Sequence, residues 1–206
     1  MVKLVSITSD AEKIISYCAR VSSDNQENPE YAKLLRYCIT HGHWSIFETA
    51  SMTLEITTSR AIAAQLLRHR SFTFQEFSQR YSSNINKPVP IVGRRQSQKN
   101  RQSSSEELDT MAQEFWLGLQ ERVYDSCFTA YQQAIDSGVA REQARMLLPL
   151  ATPSTLYMTG NVRSWITYIQ SRTSEDTQKE HRDLANEIKK IFIGQLPTIS
   201  EALEWT

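Results

Sequence analysis

Alternation of apolar and polar residues predicts two strands. Between Ala50 and Thr58, Met52, Leu54 and Ile56 fall on one face and the polar residues fall on the other, as in a strand with one buried face. Val2 to Thr8 alternates in a similar way. Two further extended segments are predicted, 71–77 because it is rich in aromatic residues and threonine, and 155–159.

Apolar residues at intervals of three and four predict helices in most of the remaining chain. The helical patterns cover 14–19, 29–42, 60–70, 103–138, 142–148, 162–169 and a segment from about residue 177 to Pro197. Asn28 is the expected N-cap of the second helix, and Ser103 with Glu106 forms an expected capping box for the longest one. Residues 82–105 have no period, two prolines and many Ser, Asn and Gln, which predicts a long loop, functional or mobile.

These elements predict an α+β fold. The length of 206 residues fits one elaborated domain better than two. We therefore expect a single helix-rich domain over residues 1–206 with a small, mostly antiparallel sheet. The first residues lack a basic segment followed by a long apolar one, and no later stretch approaches the roughly 18 apolar residues of a membrane span. A cytoplasmic protein without a membrane partner is the expectation.

Charge is balanced overall but not locally. The chain has 23 basic and 23 acidic residues, so its global field favours neither nucleic acid nor membrane. Residues 60–101 nevertheless carry nine basic residues against the single acid Glu76, a local charge of +8. Most of these are arginines, whose planar guanidinium binds phosphate oxygens bidentately. The alternative for its last part, 94–101, is a solvated loop paired with nearby acids, Glu106, Glu107, Asp109 and Glu114.

Three consecutive polar residues, Arg68, His69 and Arg70, close an apolar helix and precede apolar strand residues. Some of them are expected to point inward or into a cleft. Glu76 is the only acid nearby in the sequence, so a bound phosphate or anionic ring would supply the missing negative charge. Spacing alone leaves a ligand site and a structural role equally open.

Cysteines and the other histidines do not suggest a metal site. The cysteines are Cys18, Cys38 and Cys127. All three fall on apolar helical stripes without ligand spacing, which predicts buried, unreactive thiols in a reducing compartment. His41 and His43 have no ligand set nearby, so no metal is expected. His181 lies among charged residues and is expected to be a solvated surface residue.

Four segments resemble the motifs of one enzyme family. Arg68-His69-Arg70, followed after seven residues by Ser78, resembles the RHR-x7-S signature of the flavin-dependent thymidylate synthases, the ThyX family. The other segments are similar to the family's HGH…FE, AR-apolar-LP and N-x-R…R motifs, at 41–48, 144–149 and 161–172. Matches in the same order from Ala19 to Trp205 cover nearly the whole chain.

The resemblance implies a ThyX-like fold and two sets of site residues. Those implied to surround dUMP are Gln65, Arg68, Glu76, Ser78, Arg80, Arg145 and Arg172. Those implied to hold FAD are His43, Ser45, Arg68, His69, Arg70, Glu76, Asn161 and Arg163. The chain departs from the fuller pattern at Thr73 and Gln75, where Ser and Asn are usual, and at Thr167, where a flavin-contacting Asn is expected. No contact is therefore assigned to Thr167.

The implied reaction is reductive methylation of dUMP to dTMP, with 5,10-methylenetetrahydrofolate as carbon donor and NADPH as reductant of the flavin. A cysteine adduct at C6 is one way to activate C5, but the apolar setting of the three cysteines disfavours it. Arg172 and Ser78 are the expected catalytic residues. The Arg172 guanidinium would stabilise an anion at N3, and Ser78 would hydrogen-bond the nucleotide.

The family is further implied to form a homotetramer whose active sites combine residues of several subunits. A G-x-G-x-x-G loop is absent from the sequence, so no Rossmann turn would hold the flavin, and contacts to NADPH and folate stay unassigned.

A second class of function remains possible on the residues alone. In a single-stranded nucleic-acid-binding module, segment 60–101 would bind phosphates and its aromatic residues would stack on bases. The sequence pI of about 6.9 argues against this alternative. A purified flavoprotein would be yellow, whereas a nucleic-acid binder would be colourless and its binding would depend steeply on salt concentration.

Overall fold

The computed structural model describes residues 1–205, which contain helices and short strands in mixed order. The helices are α1 Ala11–Ala19, α2 Ala32–Thr40, α3 Arg60–Leu66, α4 Thr110–Asp136, α5 Arg141–Ala144, α6 Val162–Arg172, α7 Lys179–Gln195 and α8 Pro197–Ala202. The strands are β1 Val2–Ile7, β2 Ser51–Ser59, β3 Thr73–Glu76, β4 Arg94–Gln96, β5 Ser104–Glu107 and β6 Pro153–Asn161. Two 3-10 turns cover Trp44–Glu48 and Arg145–Leu147. The expected α+β class is confirmed.

A four-stranded sheet has the order β1-β2-β6-β3, and β4 pairs with β5 separately. The inward face of β2 is the one the alternation predicts, since Met52, Leu54 and Ile56 are buried. On its other face, Thr53 and Thr159 share a hydrogen bond of 2.9 Å between their hydroxyls. β1 runs antiparallel to β2 and shifts register between Leu4 and Ser6.

The chain divides into two compact units. Within the described residues, the first comprises 1–56, 69–75 and 157–205. Its core includes Ile15, Phe47 and Trp165, each fully buried. Trp165 Nε1 donates to the carbonyl of Met52 at 3.0 Å, so the largest core side chain also has its polar atom satisfied.

The second unit comprises 57–68 and 76–156. Its longest element is α4, whose inward residues include the buried Tyr124 and Tyr131. On α3, Ile62 and Leu66 are buried as the apolar spacing indicates. The prediction of one domain over residues 1–206 stays a prediction.

Helix starts differ from the sequence prediction at two places. Helix α2 begins at Ala32 with Tyr31 as N-cap, whereas Asn28 Oδ1 accepts from the backbone N–H of Glu30 at 2.8 Å. Asn28 therefore closes a local turn, a common alternative for this residue type. The Ser103 capping box is also wrong, because α4 begins at Thr110 and its cap is Asp109, which accepts from Ala112 N–H.

The segment 82–105 is more structured than predicted. It contains β4 and part of β5, which pair antiparallel with Arg94 opposite Glu107. Two glutamines of α4 bind its backbone: Gln120 accepts from and donates to Ile91, and Gln113 accepts from Gly93 N–H at 2.8 Å. Because these amides satisfy the loop's backbone groups, the segment is anchored along α4.

Helix boundaries elsewhere follow the prediction more closely. The helix predicted over 60–70 begins at Arg60 as expected but already ends at Leu66, and α6 begins at Val162 as predicted. Pro197 was expected to follow the last helix, but it occupies the first turn of α8, a position that suits its fixed φ angle. In residues 1–205, no helix has the length and apolar character needed to cross a membrane.

Candidate functional site

The site residues that belong to the first unit centre on a contact between Arg172 and His69. Arg172 is the last residue of α6, and its Nε donates to His69 Nε2 at 3.0 Å. The imidazole must be unprotonated at Nε2 to accept this bond. Burial, and then the positive charge of Arg172, lower the pKa of His69 below its ordinary value. The guanidinium keeps its two terminal amino groups for another ligand.

Aromatic rings surround His69. The ring of Tyr168 meets it edge-on, with centroids 5.0 Å apart, and Phe72 lies at 6.5 Å, also edge-on. His181, from α7, lies at 6.3 Å. Thus His69 points inward, as expected for part of the Arg-His-Arg segment, while Arg68 and Arg70 are exposed.

The prediction that His181 is a surface residue is wrong. Its side chain is fully buried, and its Nε2 lies 3.1 Å from the hydroxyl of Tyr168. The missed signal was helical spacing, since His181, Leu184, Ala185 and Ile188 form one buried stripe of α7. Charged neighbours in the sequence project from the other sides of the same helix.

Asn161 and Arg163 lie at the start of α6. Asn161 is the N-cap, and its Oδ1 accepts from Ser164 N–H at 2.8 Å. Arg163 is exposed and donates to Glu48 at 2.6 Å. The capping role occupies the oxygen of the Asn161 amide, whereas its nitrogen is a separate donor.

His43 and Ser45 lie at the start of the 3-10 turn and are exposed. The His43 ring lies 5.8 Å from that of Tyr37, which stacks on His41 with centroids 3.9 Å apart. The three rings form an exposed aromatic group at the end of α2. Residues 1–205 contain no group of three or more His, Cys, Asp and Glu side chains arranged to hold a metal ion.

In the second unit, Glu76 pairs with Arg60 rather than with the Arg-His-Arg segment. Arg60 Nη1 lies 3.4 Å from Glu76 Oε1, and Ser154 Oγ donates to the same oxygen at 2.7 Å. Ser154 is buried. The sequence correctly singled out Glu76 as a nearby acid, but it could not show that a residue of α3 would reach it first.

Ser78 and Arg80 line a cavity of about 700 Å³. Tyr81, Arg141 and Glu142 also line it. Arg141 donates to the carbonyl of Tyr81 at 2.8 Å, and Arg80 lies 3.4 Å from Glu142. The cavity therefore has two guanidinium groups, a serine hydroxyl and one carboxylate, which suits an anionic polar ligand.

Three remaining predicted residues, Gln65, Arg68 and Arg145, also belong to the second unit. Gln65 is half-buried on α3, and Arg68 follows the end of that helix. Arg145 opens the second 3-10 turn, and its Nε donates to the carbonyl of Glu142 at 3.3 Å. No carboxylate in the described part of the chain lies within ion-pair distance of Arg68 or Arg70.

The cysteines are free thiols, but only Cys38 is buried as predicted. Cys18 and Cys127 are half-buried because the outer parts of α1 and α4 are less covered than apolar spacing suggests. Burial raises the pKa of Cys38, which disfavours its thiolate.

Part of the basic segment 60–101 is paired with acids, most of which lie elsewhere in the chain. Lys87 pairs with Asp125, and Arg95 pairs with Glu106 and Asp109, as expected for a solvated loop. With Arg60 and Arg80 also paired, the segment does not offer a continuous row of free cations for a nucleic-acid strand.

Comparison with known proteins decides the family. The model for "Thy1: Thymidylate synthase complementing protein" matches residues 3–198. A protein of Paramecium bursaria Chlorella virus 1, named probable flavin-dependent thymidylate synthase, is 52% identical over 98% of this chain and 98% of its own length. The flavin-dependent thymidylate synthase of Synechocystis sp. is 53% identical over 94% of this chain and 90% of its own length. This chain belongs to the flavin-dependent thymidylate synthase family.

A solved member of the same structural class supports the fold of this thymidylate synthase family member. The UMP/dUMP methylase PolB of Streptomyces cacaoi, crystallised with 5-Br dUMP, has a TM-score of 0.85 and 27% identity over 99% of this chain and 94% of its own. The same protein with 5-Br UMP has a TM-score of 0.84. The expected helix-rich fold with a small antiparallel sheet is confirmed.

Proposed function

We propose that this protein converts dUMP to dTMP by flavin-dependent reductive methylation, with 5,10-methylenetetrahydrofolate as carbon donor and NADPH as reductant. The observation that carries the proposal is the family match across residues 3–198, together with 52% identity to a thymidylate synthase along almost all of both chains. The cytoplasm, where these substrates occur, is the proposed location.

The proposed dUMP ligands are those expected from the sequence, Gln65, Arg68, Glu76, Ser78, Arg80, Arg145 and Arg172. Support comes from the cavity beside Ser78 and Arg80, where a nucleotide phosphate would compete with Glu142 for the Arg80 guanidinium. This exposed pair is weak, so its replacement by a doubly charged phosphate is favourable.

The residues present fit a flavin dinucleotide. Arg68 and Arg70 are exposed and have no carboxylate partner within residues 1–205, so both are available to a pyrophosphate. The full proposed set is His43, Ser45, Arg68, His69, Arg70, Glu76, Asn161 and Arg163. Bound FAD supplies the hydride that completes the methyl group.

Arg172 is the proposed activator of the pyrimidine. Its bond to His69 fixes the guanidinium through Nε, and its terminal amino groups would face the N3 side of uracil. A guanidinium stays protonated, so it acts by charge and not as a base. Lowering the pKa of N3 by ~2 units requires ~2.7 kcal/mol, which a charge-assisted hydrogen bond can supply. Ser78 would orient the nucleotide by hydrogen bonding.

No protein thiol is needed in this proposal. Cys38 is buried with a raised pKa, so it is unsuited to add to C6. Replacing Cys127 by serine should therefore leave turnover in place.

The proposed assembly is a homotetramer with shared active sites. Support comes from apolar side chains that are exposed in one chain, including Met111 and Phe115 on α4 and Met146 and Leu150 near the second 3-10 turn. A second copy of the chain would cover such residues, and their burial favours association.

Colour and isotope release test the proposal. The purified protein should be yellow, and it should release tritium from [5-³H]dUMP and form dTMP only when methylenetetrahydrofolate and NADPH are both supplied. A colourless protein, or one that forms no dTMP under these conditions, would refute the proposed function.

Substituting Arg172 tests its role. Arg172→Ala should lower dTMP formation by about a hundredfold while the flavin content stays that of the unmodified protein. The control is Arg36→Ala, which removes an exposed arginine paired with Glu201 and should leave turnover unchanged. An Arg172→Ala variant with full activity would remove Arg172 from the mechanism.

A further inference from the structure

A buried polar pair next to the site has no role in the proposed reaction. The Tyr168 hydroxyl and His181 Nε2 are 3.1 Å apart, and both side chains are buried. Burying two polar groups is unfavourable unless they bond each other, and an apolar pair of similar shape would avoid that cost. The pair therefore calls for an explanation beyond core packing.

The pair lies against the residue that holds Arg172. The Tyr168 ring packs edge-on against His69 at an interplanar angle of 76°, and the His181 ring does so at 86°. Tyr168 connects the two histidines, because its ring contacts the ring of His69 and its hydroxyl is hydrogen-bonded to His181. Fixing the hydroxyl fixes the ring, and the ring limits the orientations open to His69.

Burial favours the neutral forms of Tyr168 and His181. The titratable and charged groups facing His69 are Tyr168 and Arg172 from α6 and His181 from α7. Burial raises the pKa of Tyr168, and burial with the charge of Arg172 lowers the pKa of His181 to about 4. Both groups are neutral at neutral pH, so Arg172 carries the positive charge of the cluster.

We propose that Tyr168 and His181 are positioning residues, which hold the His69 ring so that its Nε2 accepts from Arg172 Nε and the guanidinium faces its ligand. The inference rests on the proposed function only in taking dUMP as the ligand of the Arg172 guanidinium. The geometry of the four side chains is independent of it. Without the pair, His69 rotates more freely, admits water and takes up a proton more readily, which breaks its bond to Arg172.

The test uses Tyr168→Phe, His181→Leu and the double variant in the flavin-loaded protein. Tyr124→Phe is the matched control, because Tyr124 is also buried and its hydroxyl also donates a bond, to Gln120 at 3.0 Å on α4. Loss of one neutral hydrogen bond changes an equilibrium by up to about tenfold. Each Tyr→Phe variant should lose a comparable amount of stability.

Two readouts separate positioning from stability. The first is kcat/KM for dUMP as a function of pH. For Tyr168→Phe and His181→Leu this value should be about fivefold to tenfold lower than for the unmodified protein, and as the pH is lowered the activity should begin to fall at a higher pH. The second is NMR of the labelled imidazoles of the chain's four histidines, with His69 identified through His69→Gln. Its titration should move to higher pH in both variants.

The double variant distinguishes a misfolded protein from a misaligned site. Removing both side-chain polar groups should cost less stability than the two single losses added together, because neither atom of the pair is then left without the other, while the activity profile and the His69 titration remain altered. The inference is overturned if Tyr168→Phe behaves as Tyr124→Phe does in both readouts. It is also overturned if the double variant has the pH profile and the His69 titration of the unmodified protein. If the unmodified protein makes no dTMP but the His69 titration shifts as stated, the proposed function fails and the positioning role stands.

Discussion

Gly160 lies where a single added methyl group would collide with the ring beside the site. A Cβ built on Gly160 would come within 2.4 Å and 2.5 Å of two carbons of the Phe72 ring, whereas carbon atoms in ordinary contact are about 3.5–4.0 Å apart. Relief therefore requires a shift of about 1 Å. Phe72 cannot move freely, because it packs edge-on against Trp165 with centroids 4.7 Å apart.

Overpacking of this kind costs about 1–3 kcal/mol. Gly160→Ala should lower the free energy of unfolding by that amount in urea titrations followed by circular dichroism. Since Phe72 also borders His69, the flavin content or dUMP turnover should fall as well. Combining Gly160→Ala with Phe72→Leu should recover part of the stability, because the smaller side chain removes the collision.

Gly194→Ala is the matched control. Gly194 lies near the end of α7, and a Cβ there meets no heavy atom within 4 Å. Alanine is the better helix former, so this substitution should stabilise the protein by about 0.5–1 kcal/mol. A Gly160→Ala protein as stable as the Gly194→Ala protein would refute the packing argument.

Three further predictions concern buried or capping groups. The pKa of His181 is about 4 in the folded protein, below its ordinary value, so the unfolded chain binds more protons in this range. The free energy of unfolding should therefore fall by up to about 3 kcal/mol as the pH drops from 6.5 to 4. Urea titrations at several pH values should show this fall, and His181→Leu should flatten the dependence of stability on pH. Ser154→Ala removes the hydrogen bond to Glu76 and should cost about 1.5–3 kcal/mol in the same assay, with no change counting against that bond. Asn161→Asp keeps the oxygen that accepts from Ser164 N–H, so this variant should keep its stability but bind flavin more weakly in a titration of the apoprotein. Asn161→Ala should lose flavin affinity and also about 1 kcal/mol of stability. Unchanged flavin affinity in the Asp variant would remove Asn161 from the proposed cofactor set.

Local patterns predicted an element correctly where the pattern fits only one kind of structure. The alternation around Leu54 gave the correct inward face of β2, and the apolar spacing that begins at Val162 gave the correct start of α6. In both cases the residues that define the pattern also make the decisive contacts. A short-range signal is then sufficient.

Other elements depend on partners that lie far away in the sequence. Ser103 and Glu106 fit a capping motif, but Ser104–Glu107 pairs with Arg94–Gln96 and becomes a strand instead. Strand pairing of this kind is a tertiary choice that local spacing cannot reveal. Asp109, a better-placed cap, then starts α4.

The candidate site shows the same division. The arginine-rich segment and Ser78 were recognisable from their spacing, whereas the contact of Arg172 with His69 joins residues 103 positions apart. The surface prediction for His181 is wrong because its neighbours in the sequence are charged, whereas its own face of α7 is buried. Its bond to Tyr168 required the packing of α6 against α7, which no local motif specifies.

The positive charge of the cluster formed by Arg172, His69 and His181 comes from Arg172. The pKa values of His69 and His181 are both lowered by burial and by the charge of Arg172, and a guanidinium does not lose its proton. In the structure the two imidazoles therefore contribute packing and hydrogen bonding, and the guanidinium contributes the charge.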